Sequence, residues 1–124
     1  MKKENLVVNR WKAFGYARKG LILFFKTEKS AWIHLATTIL VISASFLFQL
    51  SLTEWIAIVF AIGFVIVTEI LNTSIEELVD MVQPDYHPMA GRVKDFGAAA
   101  VYISVITSLI IAGIVFTPKI IELF

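Results

Sequence analysis

The chain has 124 residues, 58% of them hydrophobic, with no cysteine and a formal net charge of +1. This apolar fraction exceeds what a soluble domain needs for its core, so it excludes an ordinary soluble protein and indicates a single membrane domain. The lack of cysteine excludes disulfides and thiolate metal ligands. No nucleic-acid partner is expected.

The amino-terminal segment is expected to be frayed over residues 1–8 and to form a surface helix over residues 9–27. Apolar side chains recur there at helical spacing, at Trp11, Phe14, Leu21 and Phe25. Most of the cationic side chains lie elsewhere around this helix. The pattern predicts an amphipathic helix in the membrane interface with its cations near anionic head groups. A simple basic anchor that only sets the membrane orientation is the alternative.

Three membrane helices are predicted, over residues 30–50, 52–82 and 92–118. The segments 30–53 and 96–118 contain no charged residue, and each is long enough to cross a hydrocarbon core of about 30 Å. The middle segment is uncharged only from Trp55 to Thr68, so it spans the membrane only if its helix continues through Glu69.

Two local signals delimit the middle helix. Ser51 and Glu54 have the spacing of a capping box, which satisfies the free amides at the start of a helix. At the other end, Pro84, Pro88 and Gly91 predict a short loop over residues 83–91. Beyond this loop, the small residues 97–100 predict close packing between membrane helices.

The cationic residues are distributed unevenly. Of the 11 lysines and arginines, eight precede the first membrane helix, two precede the last, and only Lys119 follows it. The positive-inside rule therefore places the amino terminus and residues 83–95 in the cytoplasm and the carboxyl terminus outside.

A stripe of polar residues marks the middle helix. Glu69, Asn72, Glu76 and Asp80 are three, four and four residues apart, so they lie within about 80° of one another around a helix. Three carboxylates and a carboxamide in a line can bind a hydrated divalent cation and leave one carboxylate to act as a general base. These are the groups that metal-assisted phosphoryl transfer requires. An ordinary solvated acidic face is the alternative for Glu76, Glu77 and Asp80.

The depth of Glu69 favours a chemical role. Counted from Leu52, Glu69 lies about 25 Å along the helix, near the inner edge of the hydrocarbon core. A carboxylate at this depth suits a general base for a hydroxyl held at the same level, as in a lipid alcohol. Glu76 and Asp80 lie beyond the core, where nucleotide can reach them.

Glu28, Lys94 and Asp95 are the remaining candidates from residue type alone. Glu28 lies between two lysines at the start of the first membrane helix, as an ion-pair partner or as a metal ligand, and its position by itself favours the ion pair. Lys94 suits neutralisation of phosphate, and Asp95 suits orientation of a base, a ribose or Lys94 itself. As isolated residues, Lys94 and Asp95 would be an ordinary juxtamembrane pair.

Together these motifs resemble the prokaryotic integral-membrane diacylglycerol kinases, a family that includes the undecaprenol kinases. The resemblance is carried by Glu69-Ile-Leu-Asn72-Thr73-Ser-Ile-Glu76, Val79-Asp80, Asp85-Tyr86-His87-Pro88 and Lys94-Asp95-Phe-Gly-Ala-Ala-Ala-Val101, with Lys12-Ala13, Gly15-Tyr16, Gly20-Leu21 and Glu28 upstream. It covers essentially the whole chain. It implies a homotrimeric lipid kinase of the bacterial inner membrane that uses ATP and Mg²⁺ at the cytoplasmic interface, with sites shared between subunits.

The resemblance also implies roles for individual residues. Glu69 would be the general base, with Asn72 beside it, and Glu28 and Glu76 would hold Mg²⁺. Asp80 would have a supporting role. The ATP site would comprise Arg10, Lys12, Tyr16, Glu28, Glu76, Asp85, Tyr86, His87, Lys94 and Asp95, with Lys94 at the γ-phosphate.

Four sequence features bear on the lipid substrate and on the match to the family. Ala98 occupies the position of a serine that the diacylglycerol kinases use near the lipid head group. Asn9 stands where the family has an arginine, and Arg10 is adjacent. Trp32-Ile33-His34 and His87-Pro88 are closer to the undecaprenol kinase branch, so both lipids stay open. The alternative function is a non-catalytic small membrane protein, either a transporter subunit or a cation-binding assembly factor.

Overall fold

The computed structural model describes residues 6–124, so the predictions for residues 1–5 lie outside the described part of the chain. The described residues form four α-helices and no strand: α1 (Leu6–Thr27), α2 (Lys29–Leu47), α3 (Leu52–Val82) and α4 (Pro88–Ile121). Helices α2, α3 and α4 are each long and apolar enough to cross a membrane. The predicted all-α class, with three membrane helices after an amino-terminal helix, is confirmed.

The observed bounds of α3 agree with the predicted ones, and the capping box explains where it begins. The Ser51 backbone N–H donates to Glu54 Oε2 at 2.8 Å, and the Glu54 N–H donates to Ser51 Oγ at 3.3 Å. Two of the free amides at this helix start are therefore satisfied by the reciprocal arrangement that the sequence predicted.

Helix α2 ends at Leu47, three residues before its predicted end. Gln49 adopts a positive φ of 52°, and the Leu50 N–H donates to the Ser45 carbonyl oxygen at 3.2 Å. This is the geometry of a Schellman cap, in which one left-handed residue closes the helix. Glycine is the usual residue at that position, so a glutamine there gave no sequence signal.

The predicted loop over residues 83–91 is wrong after residue 87, because α4 begins at Pro88. Proline suits the first turn of a helix since its missing N–H would have no partner there. His87 caps the helix, with Nδ1 accepting from the Met89 N–H at 3.1 Å.

Helix α4 also continues three residues beyond its predicted end, through Pro118 to Ile121. At the amino terminus, residues 6–8 of the segment expected to be frayed belong to α1.

The chain divides into two compact units after Thr37, although α2 runs through this boundary. In the first unit, Phe24 and Ala31 are buried. The Trp32 ring meets the Phe25 ring edge-on at 5.7 Å, and its Nε1 donates to the Phe25 carbonyl oxygen at 2.8 Å. These contacts fix the junction between α1 and the start of α2.

In the second unit, an apolar cluster packs at the end of the helices that carries the α2–α3 connection. Its buried members are Leu50, Ile58 and Val115, with partly buried neighbours at Val41, Phe48, Trp55, Ile62, Ile111 and Phe116. The Phe48 and Phe116 rings meet edge-on with centroids 6.0 Å apart. The cluster joins α2, α3 and α4 at that end.

Helices α3 and α4 pack antiparallel through a seam of polar and small residues. Four contacts define its register: Glu54 Oε2 with Lys119 Nζ at 3.1 Å, the Ala61 carbonyl with Ser108 Oγ at 3.0 Å, Thr68 Oγ1 with Ser104 Oγ at 2.8 Å, and Asp80 with Lys94. Residue numbers rise along α3 as they fall along α4. The predicted close approach of small residues occurs at Gly97, which is buried, while residues 98–100 are exposed.

Candidate functional site

The polar stripe of α3 lies on one unbroken helix. Part of the stripe contacts α4, and the rest lies next to that contact surface. Glu69, Asn72 and Glu76 are half-buried, and Asp80 is exposed. Thr68, immediately before Glu69, contacts Ser104 of α4, so this part of the stripe is held against a second membrane helix. Such partial burial distinguishes Glu69 and Glu76 from the exposed Glu77 on the same helix.

Asn72 connects the stripe to the interface between α3 and α4. Its Nδ2 donates to Glu76 Oε1 at 3.3 Å, one turn further along α3. Its Oδ1 is buried and has no hydrogen-bond partner in residues 6–124. A buried polar atom without a partner is uncommon in proteins and calls for a structural or functional reason. The carboxamide therefore links the seam to the carboxylate of Glu76.

Asp80 and Lys94 form an ion pair that joins the end of α3 to the start of α4. Lys94 Nζ lies 2.5 Å from Asp80 Oδ1, and the two side chains are 38% and 64% exposed. Sequence reasoning assigned the residues separately and missed the pair. Asp80 and Lys94 are each seven residues from His87, which lies in the connection between the two helices. Antiparallel helices bring together positions that are equally far from their connection, so this spacing could have predicted the ion pair.

The predicted nucleotide residues of the α3–α4 connection are open to solvent. Asp85, Tyr86 and His87 are exposed, and Tyr86 retains 92% of its accessible surface. Because His87 Nδ1 accepts the capping hydrogen bond, the neutral ring carries its proton on Nε2. Tyr86 and the Nε2 edge of His87 are thus available to a ligand on this side of the second unit.

On α4, Lys94 and Gly97 contact α3, whereas Asp95 and Ala98 are exposed. The second unit thus brings together Asn72 with Glu76 and Asp80 with Lys94. It does not place Asp95 or Ala98 in the seam with them.

The other predicted residues belong to the first unit. Arg10, Lys12 and Tyr16 are exposed on α1, and Lys19 Nζ lies 6.0 Å from the centre of the Tyr16 ring. Glu28 is the half-buried residue between α1 and α2, where its N–H donates to the Phe24 carbonyl at 2.9 Å. Over residues 6–124, no three histidine, aspartate or glutamate side chains gather as a metal cluster.

The fold and the stripe define a multi-pass helical membrane protein that carries carboxylates and a carboxamide on a spanning helix. The family model for prokaryotic diacylglycerol kinase matches residues 15–116. This chain therefore belongs to the prokaryotic diacylglycerol kinase family, and the predicted enzyme class, a membrane lipid kinase, is confirmed.

Three curated relatives are similar over most of their length. The undecaprenol kinase of Bacillus subtilis is 37% identical over 90% of this chain and 92% of its own. The diacylglycerol kinase of Escherichia coli K12 is 35% identical over 80% of this chain and 81% of its own. The diacylglycerol kinase of a Synechocystis strain is 31% identical over 98% of this chain and 74% of its own.

Proposed function

We propose that this protein transfers the γ-phosphate of ATP to the hydroxyl of a membrane lipid alcohol, either diacylglycerol or undecaprenol. The observation that carries the proposal is the half-buried trio Glu69, Asn72 and Glu76 on one face of a spanning helix. The names of the relatives from Bacillus subtilis and Escherichia coli supply the two lipids.

Glu69 acts as the general base in this proposal. It accepts the proton of the lipid hydroxyl while the hydroxyl oxygen forms a bond to the γ-phosphorus and the bond to the β-phosphate oxygen breaks. The products are a lipid monophosphate and ADP, and the proton passes from Glu69 to water. Lys94, at the start of α4, stabilises the negative charge on the transferring phosphoryl group.

Glu28 and Glu76 are the proposed metal ligands. Mg²⁺ prefers oxygen ligands and is often bound by one or two carboxylates together with the substrate phosphates, so each of these two carboxylates is a suitable type of ligand. When bound, Mg²⁺ neutralises phosphate charge. Asn72 Nδ2 donates a hydrogen bond of 3.3 Å to Glu76 Oε1. This bond orients the Glu76 carboxylate and leaves its Oε2 atom for a ligand.

The nucleotide and the lipid head group are assigned to the remaining predicted residues. Asp95 and the exposed Tyr86 and His87 contact the nucleotide from the second unit, together with Asp85. Arg10, Lys12 and Tyr16 contribute from α1, which lies at the membrane surface. Ala98 adjoins the lipid head group, and Asp80 supports Lys94 through their ion pair.

The proposed setting is the bacterial inner membrane, with the amino terminus and the site in the cytoplasm. Its support is the excess of Lys and Arg before the membrane part of α2, together with Arg92 and Lys94 in the first turns of α4. A homotrimer with sites shared between subunits completes the proposal.

The test is transfer of γ-labelled phosphate from ATP to diacylglycerol or undecaprenol in mixed micelles with Mg²⁺. The wild-type protein should label one lipid. Glu69→Gln should reduce turnover by about a hundredfold or more, because one well-placed general base contributes that much. Glu77→Gln is the matched control, since Glu77 is exposed on the same helix and should keep near wild-type turnover.

Membrane vesicles test the orientation in the same assay. ATP added outside should support labelling with inverted vesicles and fail with right-side-out vesicles. Undiminished turnover by pure Glu69→Gln would remove the assigned base. If folded wild-type oligomer labels neither lipid, the non-catalytic, cation-binding membrane protein becomes the better description.

A further inference from the structure

We propose that Gly97 of α4 is a positioning residue of the site. Its missing side chain leaves the space in which the Asn72 carboxamide lies, and this carboxamide in turn holds the Glu76 carboxylate. The inference rests on the proposed function insofar as Glu76 is taken as a metal ligand. None of the roles assigned above involves Gly97.

The space at Gly97 is filled by Asn72. Gly97 is buried in the seam, and a Cβ atom added there would overlap Asn72 Oδ1. The same atom would lie 3.4 Å from Asn72 Cγ and 3.7 Å from Ile75 Cγ2. The conflict is therefore with the Asn72 carboxamide above all, and Ile75 is in ordinary contact.

The orientation of the carboxamide follows from Glu76. Asn72 Nδ2 donates to Glu76 Oε1, since a carboxamide nitrogen donates hydrogen bonds and a carboxylate oxygen accepts them. Oδ1 then points the other way, towards Gly97, where it is buried without a partner. Because the carboxamide is planar and rigid, pushing Oδ1 away from α4 also moves Nδ2 relative to Glu76.

The other glycines differ from Gly97 in this respect. A Cβ atom added at Gly15, Gly20, Gly63, Gly91 or Gly113 would meet nothing within 4 Å. Gly113 lies on the same helix as Gly97 and is exposed. It provides a matched substitution that changes α4 without touching the seam.

The first experiment uses electron paramagnetic resonance to measure binding of Mn²⁺, as a probe for Mg²⁺, to the purified protein in detergent without lipid, both with and without a non-hydrolysable ATP analogue. Gly97→Ala should weaken Mn²⁺ binding about tenfold, since displacing a group that orients a metal ligand typically costs that much. The Mg²⁺ concentration for half-maximal phosphorylation should rise by a similar factor, while KM for the lipid stays unchanged. Gly113→Ala should leave both quantities at wild-type values.

The second experiment asks whether Gly97 acts through Asn72. Gly97→Ala should lower the thermal unfolding temperature of the wild-type protein and have little effect in an Asn72→Ala background, where the overlapping atom is gone. If Gly97→Ala alone fails to fold while the double variant folds, the result supports the same coupling.

Three results would overturn the inference. They are an equal loss of unfolding temperature in both backgrounds, a double variant that also fails to fold, or a folded Gly97→Ala protein with wild-type Mn²⁺ binding. Failure of the lipid kinase proposal would look different. The wild-type protein would then label no lipid, while Gly97→Ala would still weaken Mn²⁺ binding and Gly113→Ala would not.

Discussion

Lys94, which we assign to the γ-phosphate of the nucleotide, is constrained by its ion pair with Asp80 of α3. Its ammonium group pairs with Asp80 Oδ1, and both side chains are partly exposed. Exposed ion pairs typically stabilise a protein by less than about 1 kcal/mol, because water and salt screen them. The pair should therefore matter more for where the Lys94 ammonium points than for the stability of the helices.

Substitutions at the two residues should separate these effects. Lys94→Met should reduce kcat/KM for ATP by about a hundredfold or more, because it removes a charge that stabilises the transferring phosphoryl group. Asp80→Asn should reduce it less, and it should change the free energy of unfolding by less than about 1 kcal/mol. Steady-state kinetics and denaturant unfolding in detergent measure the two quantities.

Arg92→Met is the control for charge, since Arg92 is an exposed cation two residues away on α4. It should retain most of the wild-type kcat/KM. A Lys94→Met protein as active as the Arg92→Met protein would contradict the assignment of Lys94 to the γ-phosphate.

Among the elements, α3 and α4 form a polar seam that holds the candidate site. Ser104 has no accessible surface, and its hydroxyl contacts Thr68 Oγ1 at 2.8 Å and the Val101 carbonyl at 2.7 Å. Hydrogen bonds between membrane helices contribute about 0.6 kcal/mol on average, so the small volume of Ser104 matters as much as its hydroxyl.

Ser104→Ala and Ser104→Leu should therefore differ in stability. The alanine variant should lose about 0.6 kcal/mol of unfolding free energy, and the leucine variant about 1–3 kcal/mol more, because the extra volume forces the two helices apart. Unfolding in mixed micelles measures both. Thr107→Leu is the control, since the Thr107 hydroxyl bonds only the Ile103 carbonyl of its own helix. A leucine at 104 tolerated as well as one at 107 would contradict this account of the seam.

The element boundaries show where local sequence sufficed. The start of α3 was predictable because Ser51 and Glu54 satisfy each other's backbone groups over three residues. The end of α2 was not, because its cap depends on a left-handed glutamine, a conformation that this residue type does not signal. Pro88 suggested a loop, although a proline at a first helical position is equally compatible with a helix start.

Considered as a whole molecule, the chain exposes many large apolar side chains on its membrane helices. Leu40, Phe46 and Ile114 each retain 70% of their accessible surface. Large apolar side chains exposed on membrane helices are expected to be covered by lipid or by another subunit. A single chain with three membrane helices also has little surface with which to enclose a nucleotide and a lipid together.

The protein should therefore purify as an oligomer, and the family resemblance predicts a trimer. Its detergent-corrected mass from light scattering should be about three times 13.9 kDa. Mixing an inactive Glu69→Gln subunit with an inactive Lys94→Met subunit should restore some activity if neighbouring subunits share a site. A mass equal to one chain would contradict both expectations.

The sequence by itself determined the class of protein, the helices and the candidate residues on α3, because hydropathy, helical periodicity and capping are properties of neighbouring residues. It also carried the family resemblance. Only the tertiary structure decided which residues of α4 meet that stripe. Asp80 with Lys94 and Asn72 with Gly97 are 14 and 25 residues apart, and their contacts depend on the register of two packed helices. No local pattern encodes that register, because it follows from side-chain volumes and hydrogen bonds along the whole seam.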